Sequence, residues 1–207
     1  MSTLLYIEAS PRKARSASSQ VAKAFLDQYK AAHPADRVET IDLWAVQLPS
    51  FDGDTINAKY RILHGETHTP AEAGAWKAVV ETAERFKRAD KYLFSLPMWN
   101  FGIPYRLKHY LDVLIQPGLT FSFSPAAGYA GLVKGKPAAV VFARGGAYQG
   151  DDAKADFQKP YLELALGFIG FTDIRSIVVE PMLAGPEVAD SAKQAAIAKA
   201  KEMAAKF

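Results

Sequence analysis

One run of unusual composition, Pro97-Met98-Trp99-Asn100-Phe101, directly follows a short apolar segment. Loops are ordinarily polar because their backbone groups face water. This run instead places a thioether and two aromatic rings around a single amide. Such side chains suit the faces of a flat apolar ligand, with the amide of Asn100 available for a polar edge. A planar redox ring such as a flavin has this shape, and the protein would then bind and orient it.

A second candidate is the serine-rich loop from Ser10 to Ser18, which precedes a segment of helical spacing at Val21, Phe25 and Tyr29. The N-terminus of a helix offers unpaired N–H groups and a positive dipole, which together suit a phosphate, and serine hydroxyls add further donors. Neither a GxGxxG fingerprint nor a Walker loop occurs in the chain. The alternative interpretation is an ordinary helix cap beside a solvated basic loop.

A third candidate is Arg144-Gly145-Gly146, which follows the apolar run Ala138–Ala143. Consecutive glycines permit close backbone approach, so their amides would face a ring carbonyl. Arg144 would then help to stabilise charge on a reduced ring. Taken alone, the segment is more typical of a plain glycine turn with a surface arginine.

The elements that must position these loops alternate between strand-like and helix-like. The expected strands are 4–7, 38–43, 92–96, 138–143 and 174–179. The expected helices start near residues 18, 70, 104, 156 and 186; the one at 70 is preceded by the capping box Thr69-Pro70-Ala71-Glu72. This alternation predicts an α/β fold, with a five-stranded parallel sheet covered by helices on both faces.

Two segments interrupt this alternation. Residues 44–68, which include Pro49 and Gly53, are interpreted as an irregular excursion. The alternating run from Leu119 to Phe123, with the glycine-rich turn after it, predicts a hairpin insertion up to Val133. With no repeat and no linker, residues 1–207 are expected to form a single domain.

In the flavodoxin-like strand order 2-1-3-4-5, strands one, three and four are neighbours. The three candidate loops follow those strands. Ligands of open parallel sheets bind outside the carboxyl ends of the strands, where the order reverses. The three loops are therefore expected to converge on one crevice, which strengthens the interpretation of each as part of a flavin site.

Composition limits the other function classes. The chain has no cysteine, so disulfides, thiol nucleophiles and iron–sulfur clusters are excluded and any redox chemistry belongs to a cofactor. The net charge of +3 comes without a concentrated basic face, which argues against nucleic acid. No apolar run reaches membrane-spanning length and no signal-peptide layout precedes Leu4, so a cytoplasmic protein is expected.

Histidines and serines give little support to other chemistry. His64 and His68 have the i, i+4 spacing of zinc ligands, but Gly65 follows the first histidine, so no metal site is expected. His109 is expected on a polar or interface-facing side of its helix. No Gly-x-Ser-x-Gly motif occurs, which leaves serine hydrolysis without support.

In these motifs and along essentially its whole length, the sequence resembles the FMN-dependent NADH azoreductases, also described as NADH:quinone oxidoreductases. The shared patterns are Ser…Ser-x-Ser, Met-[Tyr/Trp]-Asn-Phe, Arg-Gly-Gly and the run 166–170. The resemblance implies a homodimer with two flavin sites at the subunit interface. It assigns cofactor contacts to Ser10, Ser16, Ala17, Ser18, Pro97, Met98, Trp99, Asn100, Phe101, Ala143, Arg144, Gly145 and Gly146. It assigns substrate contacts to Phe101, Phe123 and Phe168.

Two positions depart from the family pattern: Ala143 stands where serine is common, and Trp99 replaces the more frequent tyrosine. The implied activity is two-electron reduction of quinones and azo compounds by NADH or NADPH in ping-pong fashion, through FMN. No side chain is then needed as a hydride carrier. Two alternatives remain: a flavodoxin-type electron carrier, which the basic pI and the insertions disfavour, and a non-catalytic flavin-binding regulator.

Overall fold

A computed structural model describes all 207 residues, which form a parallel five-stranded sheet and a separate two-stranded hairpin. The strands are β1 (Thr3–Glu8), β2 (Arg37–Asp42), β3 (Lys91–Pro97), β4 (Phe121–Ser124), β5 (Gly128–Gly131), β6 (Pro137–Ala143) and β7 (Asp173–Val179). The large sheet has the order β2-β1-β3-β6-β7. Counted along the chain without the hairpin, this is the predicted order 2-1-3-4-5, and every pairing in it is parallel.

Helices cover both faces of the sheet. They are α1 (Ala17–Ala32), α2 (Gly53–His64), α3 (Pro70–Lys87), α4 (Tyr105–Leu114), α5 (Lys159–Ile169) and α6 (Pro186–Ala205). One core cluster packs α1 and α6 on the first face, around Phe25 and Tyr29. A larger cluster packs α3, α4 and α5 on the second face. Strands buried on both sides need no polar alternation, which is why they appear in the sequence as plain apolar runs.

The prediction of an irregular excursion over 44–68 was wrong, because residues 53–64 form α2. Asp52 caps this helix by accepting a hydrogen bond from the Thr55 amide (3.2 Å), and Gly65 ends it with a φ of 70°. Gly53 therefore occupies the first helical position and is not a breaker. A left-handed glycine directly after the last turn is a common helix end.

The helix predicted to begin near Asp156 begins at Lys159. Oδ1 of Asp156 accepts hydrogen bonds from the amides of Gln158 and Lys159 (both 3.0 Å), so its side chain holds the entry to the helix. The other helix and strand predictions agree with the structure to within a few residues. None of the helices combines the length and apolar character that crossing a membrane requires.

The predicted hairpin is confirmed as the antiparallel pair β4–β5. Its base rests on the end of α5, where the Val133 amide donates to the Ile169 carbonyl (2.8 Å). A Cβ at Gly131 would lie 2.3 Å from the Gly170 nitrogen, so only glycine permits this approach. The contact between the two backbones sets the hairpin beside Phe168.

Candidate functional site

A cavity of about 440 Å³ opens at the carboxyl edge of the sheet, within the range expected of a ligand pocket. Its walls come from the segments that follow β1, β3, β6 and β7. The first three are the loops predicted from sequence to meet, and the structure brings them together. Of the predicted cofactor residues, those that line the cavity are Ser10, Ser16, Ala17, Pro97, Met98, Trp99, Ala143, Arg144 and Gly145.

On the β1 side, α1 begins without a side-chain cap. Ser16 stands at the capping position, but its hydroxyl lies 3.0 Å from the Ser18 hydroxyl instead of accepting from a backbone amide. Gln20 is the first residue of the helix whose amide donates to a backbone carbonyl, that of Ser16 (2.9 Å). No acidic residue occupies the first turn. The free amides and the dipole of this helix end fit a phosphate group.

The basic residues of the same loop divide into two groups. Lys13, at a φ of 50°, forms ion pairs with Glu8 (3.4 Å) and Asp42. Burial acts to raise the pKa of Asp42, but its hydrogen bonds, the Lys13 ammonium foremost, outweigh burial and lower that pKa. Arg12 and Arg15 line the cavity instead. Their positive charge stands beside the open helix end, where an anion would be stabilised.

On the β3 side, Trp99 to Gly102 form a two-residue turn closed by hydrogen bonds in both directions (3.0 Å each). The central residues Asn100 and Phe101 have φ values of 46° and 70°. Asparagine tolerates this left-handed region, whereas a bulky residue such as phenylalanine there is strained by about 1–3 kcal/mol. The amide of Phe157 donates to the Phe101 carbonyl (3.0 Å), which helps to hold the strained turn at the rim of the cavity.

The ring of Trp99 is oriented by two aromatic residues that sequence reasoning did not single out. Trp44 lies 5.6 Å from it between ring centroids and Tyr105 lies 6.2 Å away. The Trp44 Nε1 donates to the Ala9 carbonyl at the end of β1 (3.0 Å). The cluster therefore ties the β3 loop to the β1 end of the cavity. Trp44 is far from the other two residues in the chain, so no local sequence signal indicates its contact with them.

On the β6 side, the backbone of the glycine loop is available to a ligand. The amides of Gly145 and Gly146 donate to no carbonyl within the chain. A Cβ at Gly145 would meet the Leu183 side chain at 2.8 Å, whereas one at Gly146 would meet only the Tyr148 ring, at 3.8 Å. The tight approach within the chain is thus at Gly145, and Gly146 lies next to the cavity without lining it.

The side chain of Arg144 does not lie at the surface, as the alternative interpretation of this loop would place it. It is buried and paired with Asp156 (2.6 Å) and Glu180 (3.3 Å). A guanidinium held by two carboxylates is in a different setting from the predicted contact with a reduced ring. The charge was visible in the sequence, but its two distant carboxylates were not.

The segment after β7 is a wall that sequence reasoning missed. Met182 and Leu183 both line the cavity, and their amides donate to the Gly145 carbonyl (3.0 Å each). The rule that ligands bind at the carboxyl ends of parallel strands applies to β7 as it does to β6. Applied to the fifth strand, it would have identified this loop.

The three phenylalanines predicted to bind substrate do not line the cavity of the single chain. Phe101 projects at its rim with 53% of its surface exposed. Phe123 and Phe168 belong to a group at the surface, here called the aromatic patch, made of the exposed Phe123, Tyr129 and Phe168 and the half-buried Phe121. Ring centroids within it lie 4.8–6.0 Å apart.

Two further predicted cofactor residues and two histidines lie outside the cavity lining. Ser18 is fully buried behind Ser16, and Asn100 lies at the tip of the turn outside the cavity lining. His109 donates through Nε2 to the Pro49 carbonyl (2.8 Å). His64 ends α2, and no group of three or more histidine or acidic side chains is arranged to hold a metal ion.

Comparisons with known proteins agree with this geometry. The family model described as flavodoxin-like fold matches residues 2–204. An FMN-dependent NADH:quinone oxidoreductase of Desulfotalea psychrophila is 53% identical and covers 98% of each chain. Its counterpart in Nitratidesulfovibrio vulgaris strain DP4 is 52% identical over the whole of both chains.

Solved structures point the same way. An azoreductase from Bacillus anthracis strain Sterne superposes with a TM-score of 0.93 at 34% identity, covering all of both chains. An FMN-dependent NADH-azoreductase from the Ames Ancestor strain, in complex with FMN, has a TM-score of 0.87 at 29% identity and covers 99% of this chain and 100% of its own. This chain therefore belongs to the flavodoxin-like family and, within it, to the FMN-dependent NADH:quinone oxidoreductases and azoreductases.

Proposed function

We propose that this protein is an FMN-dependent oxidoreductase that uses NADH to reduce quinones and azo compounds. One observation carries the proposal: the uncapped end of α1 and the unpaired Gly145 amide border the same cavity as Met98 and Trp99, and the unpaired Gly146 amide lies next to it. A phosphate and a flat ring with a polar edge would fit these donors at once. The names of the relatives point to the same cofactor and donor.

When bound, FMN would supply the two-electron redox chemistry between NADH and the acceptor. The protein's part is binding and orientation. The end of α1, with Arg12 and Arg15, would hold the phosphate. Met98 and Trp99 would contact the ring, and the Gly145 and Gly146 amides would donate to its polar edge. No side chain is required to carry the hydride.

We also propose a cytoplasmic homodimer of single-domain chains, with a second copy covering the aromatic patch. Four aromatic side chains clustered at a surface form an apolar area of the kind that marks interaction sites. In a twofold assembly, Phe123 and Phe168 of each chain would then complete the substrate wall of the other site. Light scattering tests this: an active particle of one chain mass, 22.6 kDa, would contradict the shared site.

The proposed activity is tested by spectrum and turnover. We expect purified protein to show flavin absorption, to release FMN rather than FAD on denaturation, and to oxidise NADH when a quinone is added. An electron carrier would need a separate reductase, and a flavin-binding regulator would show no turnover. Protein that neither contains nor takes up FMN would contradict the proposal.

A further inference from the structure

A buried polar network lies behind the glycine loop. The guanidinium of Arg144 is 3% exposed and bonds to three side chains: Nη2 to Asp156 Oδ2 (2.6 Å), Nη1 to Glu180 Oε2 (3.3 Å) and Nε to Gln158 Oε1 (3.1 Å). Every nitrogen of the guanidinium therefore has a partner inside the protein. The group is turned to the interior while its own backbone borders the cavity.

Each carboxylate in this network binds a different backbone segment. Asp156 accepts from the amides of Gln158 and Lys159 through Oδ1, the oxygen that Arg144 leaves free. Glu180 accepts from the Tyr148 amide (3.2 Å) and from the Gln149 side chain (3.2 Å), which closes the 144–149 loop onto the end of β7. Arg144 thus joins the entry of α5, the glycine loop and the segment after β7.

These segments form the walls of the cavity. Residue 157, next to Asp156, donates to the Phe101 carbonyl and so holds the strained turn after β3. Met182 and Leu183, which follow Glu180, donate to the Gly145 carbonyl. The glycine loop and the loop after β7 are thus bonded directly through their backbones, and the guanidinium of Arg144 links both of them, through Asp156 and residue 157, to the turn after β3.

The composition of the network indicates that its role is to position the cavity walls and not to stabilise the fold. It buries one positive and two negative groups, and Gln158 Nε2 is buried without a partner. Burying charges carries a desolvation cost that apolar residues of similar volume avoid. Only arginine offers a planar set of donors that reaches three acceptors on separate segments, since the lysine ammonium is a single point.

We propose that Arg144 is a positioning residue for the ring side of the cavity: its buried guanidinium holds the Gly145 and Gly146 amides and the Trp99–Gly102 turn in place without touching the ligand. The proposal rests on the proposed function for the identity of that ligand. It separates two halves of the site. Arg144 governs the walls around the ring, while the end of α1 governs the phosphate.

The first test uses Arg144→Lys and measures affinity for FMN and for riboflavin, which has the same ring but no phosphate. Both dissociation constants should rise by the same factor, about tenfold or more, because misplacing contact groups by about 1 Å has effects of that size or larger. Arg175→Lys is the control, since Arg175 forms an ion pair with Asp173 (2.7 Å) that is exposed and lies at the opposite end of β7. It should change neither constant.

The second test does not need a flavin. Asp156→Asn keeps the Oδ1 acceptor for the α5 amides but presents an amide N–H to Arg144 in place of Oδ2. If Arg144→Lys does not fold, this variant takes its place in the binding measurements. Hydrogen exchange of the ligand-free protein should become about tenfold faster at the amides that hold these walls, those of Trp99, Gly102, Met182 and Leu183, but not in α1.

The outcomes separate this inference from the proposed function. Wild-type protein that binds neither flavin contradicts the proposed function. Hydrogen exchange then still tests whether Arg144 links the cavity walls. Wild-type protein that binds FMN, with variants that keep the wild-type affinities and exchange rates, overturns the positioning role. A loss of thermal stability with unchanged affinity and exchange in the folded protein would show a merely structural role and also overturn it.

Discussion

Helices α1 and α3 begin in opposite ways. At α3, the Thr69 hydroxyl accepts from the Glu72 amide (3.2 Å) and the Glu72 carboxylate accepts from the Thr69 amide (2.7 Å), with Pro70 at the first helical position. At α1, Ser16 caps nothing and the first turn has no acid. Both helices are preceded by a residue with a hydroxyl group. Only at α3 do side chains accept hydrogen bonds from the free backbone amides of the helix end.

At α3 the amides of the helix end are bonded within the chain, which stabilises the fold, whereas at α1 they are free to bind a ligand. The α3 end lies at the protein surface, and its carboxylate complements the helix dipole from within the chain. The α1 end faces a cavity bordered by Arg12 and Arg15, so the matching negative charge has to come from outside. The same backbone chemistry thus serves folding in one place and binding in the other.

The largest effect is expected from giving α1 the acid that it lacks. Ser16→Asp should lower FMN affinity by on the order of a hundredfold or more, since two like charges near a protein surface repel by about 4 kcal/mol at 4 Å. The ligand-free chain should become slightly more stable, because aspartate is a good helix cap. Thr69→Asp is the control and should leave FMN affinity unchanged. Equal FMN binding by Ser16→Asp and wild type would show that the phosphate does not bind at this helix end.

A smaller loss is expected when the α1 hydroxyls are removed without adding charge. Ser16→Ala combined with Ser18→Ala should weaken FMN binding by about 1–3 kcal/mol, from lost hydrogen bonds to a charged group. Riboflavin affinity should not change, because riboflavin has no phosphate. Isothermal titration of both ligands is the measurement, and a parallel loss for riboflavin would place these serines near the ring instead.

At α3 the effect should fall on folding and not on binding. Thr69→Ala removes the acceptor for the Glu72 amide and should lower the free energy of unfolding by about 1 kcal/mol. Urea denaturation of the ligand-free protein measures this change. FMN affinity should stay at the wild-type value; if it falls, the two helix ends are coupled and the contrast between them does not hold.

The smallest expected effect is a dependence of the α3 cap on pH. The hydrogen bond from the Thr69 amide lowers the pKa of Glu72 below its ordinary value of 4.5. The contribution of Glu72 to stability is therefore fully present above that value and is lost as pH falls through the lowered pKa. The stability difference between wild type and Glu72→Gln should shrink between neutral pH and strongly acidic pH in denaturant titrations. A stability difference that does not change with pH would show that Glu72 acts through packing and not through its charge.

The α3 cap could be predicted because all of its parts lie within four consecutive residues. The same holds for the first and third loops, each a short motif placed after an apolar strand. Helix α2 was missed because Gly53 and Pro49 were interpreted as breakers, although Asp52 before it is a good cap. Glycine at the first helical position has little influence once such a cap is present.

The residues that were missed or misjudged depend on contacts between distant segments. Trp44 meets Trp99 across 55 positions, and the loop after β7 reaches the cavity only because β7 pairs with β6. The burial of Arg144 could not be predicted because its partners, Asp156 and Glu180, follow it by 12 and 36 positions. A charge in a sequence does not indicate where its counter-charges will lie.

The sequence by itself determined the parallel α/β architecture, the absence of thiol chemistry and three of the four cavity walls, because periodicity, composition and short motifs are local properties. The tertiary structure decided which hydrogen-bond donors stay unpaired and which charged side chains are paired inside the protein. It left the α1 end and the glycine amides open, turned Arg144 inward and separated Phe123 and Phe168 from the cavity. These outcomes follow from packing, since burial and hydrogen-bond partners are settled only when distant segments meet.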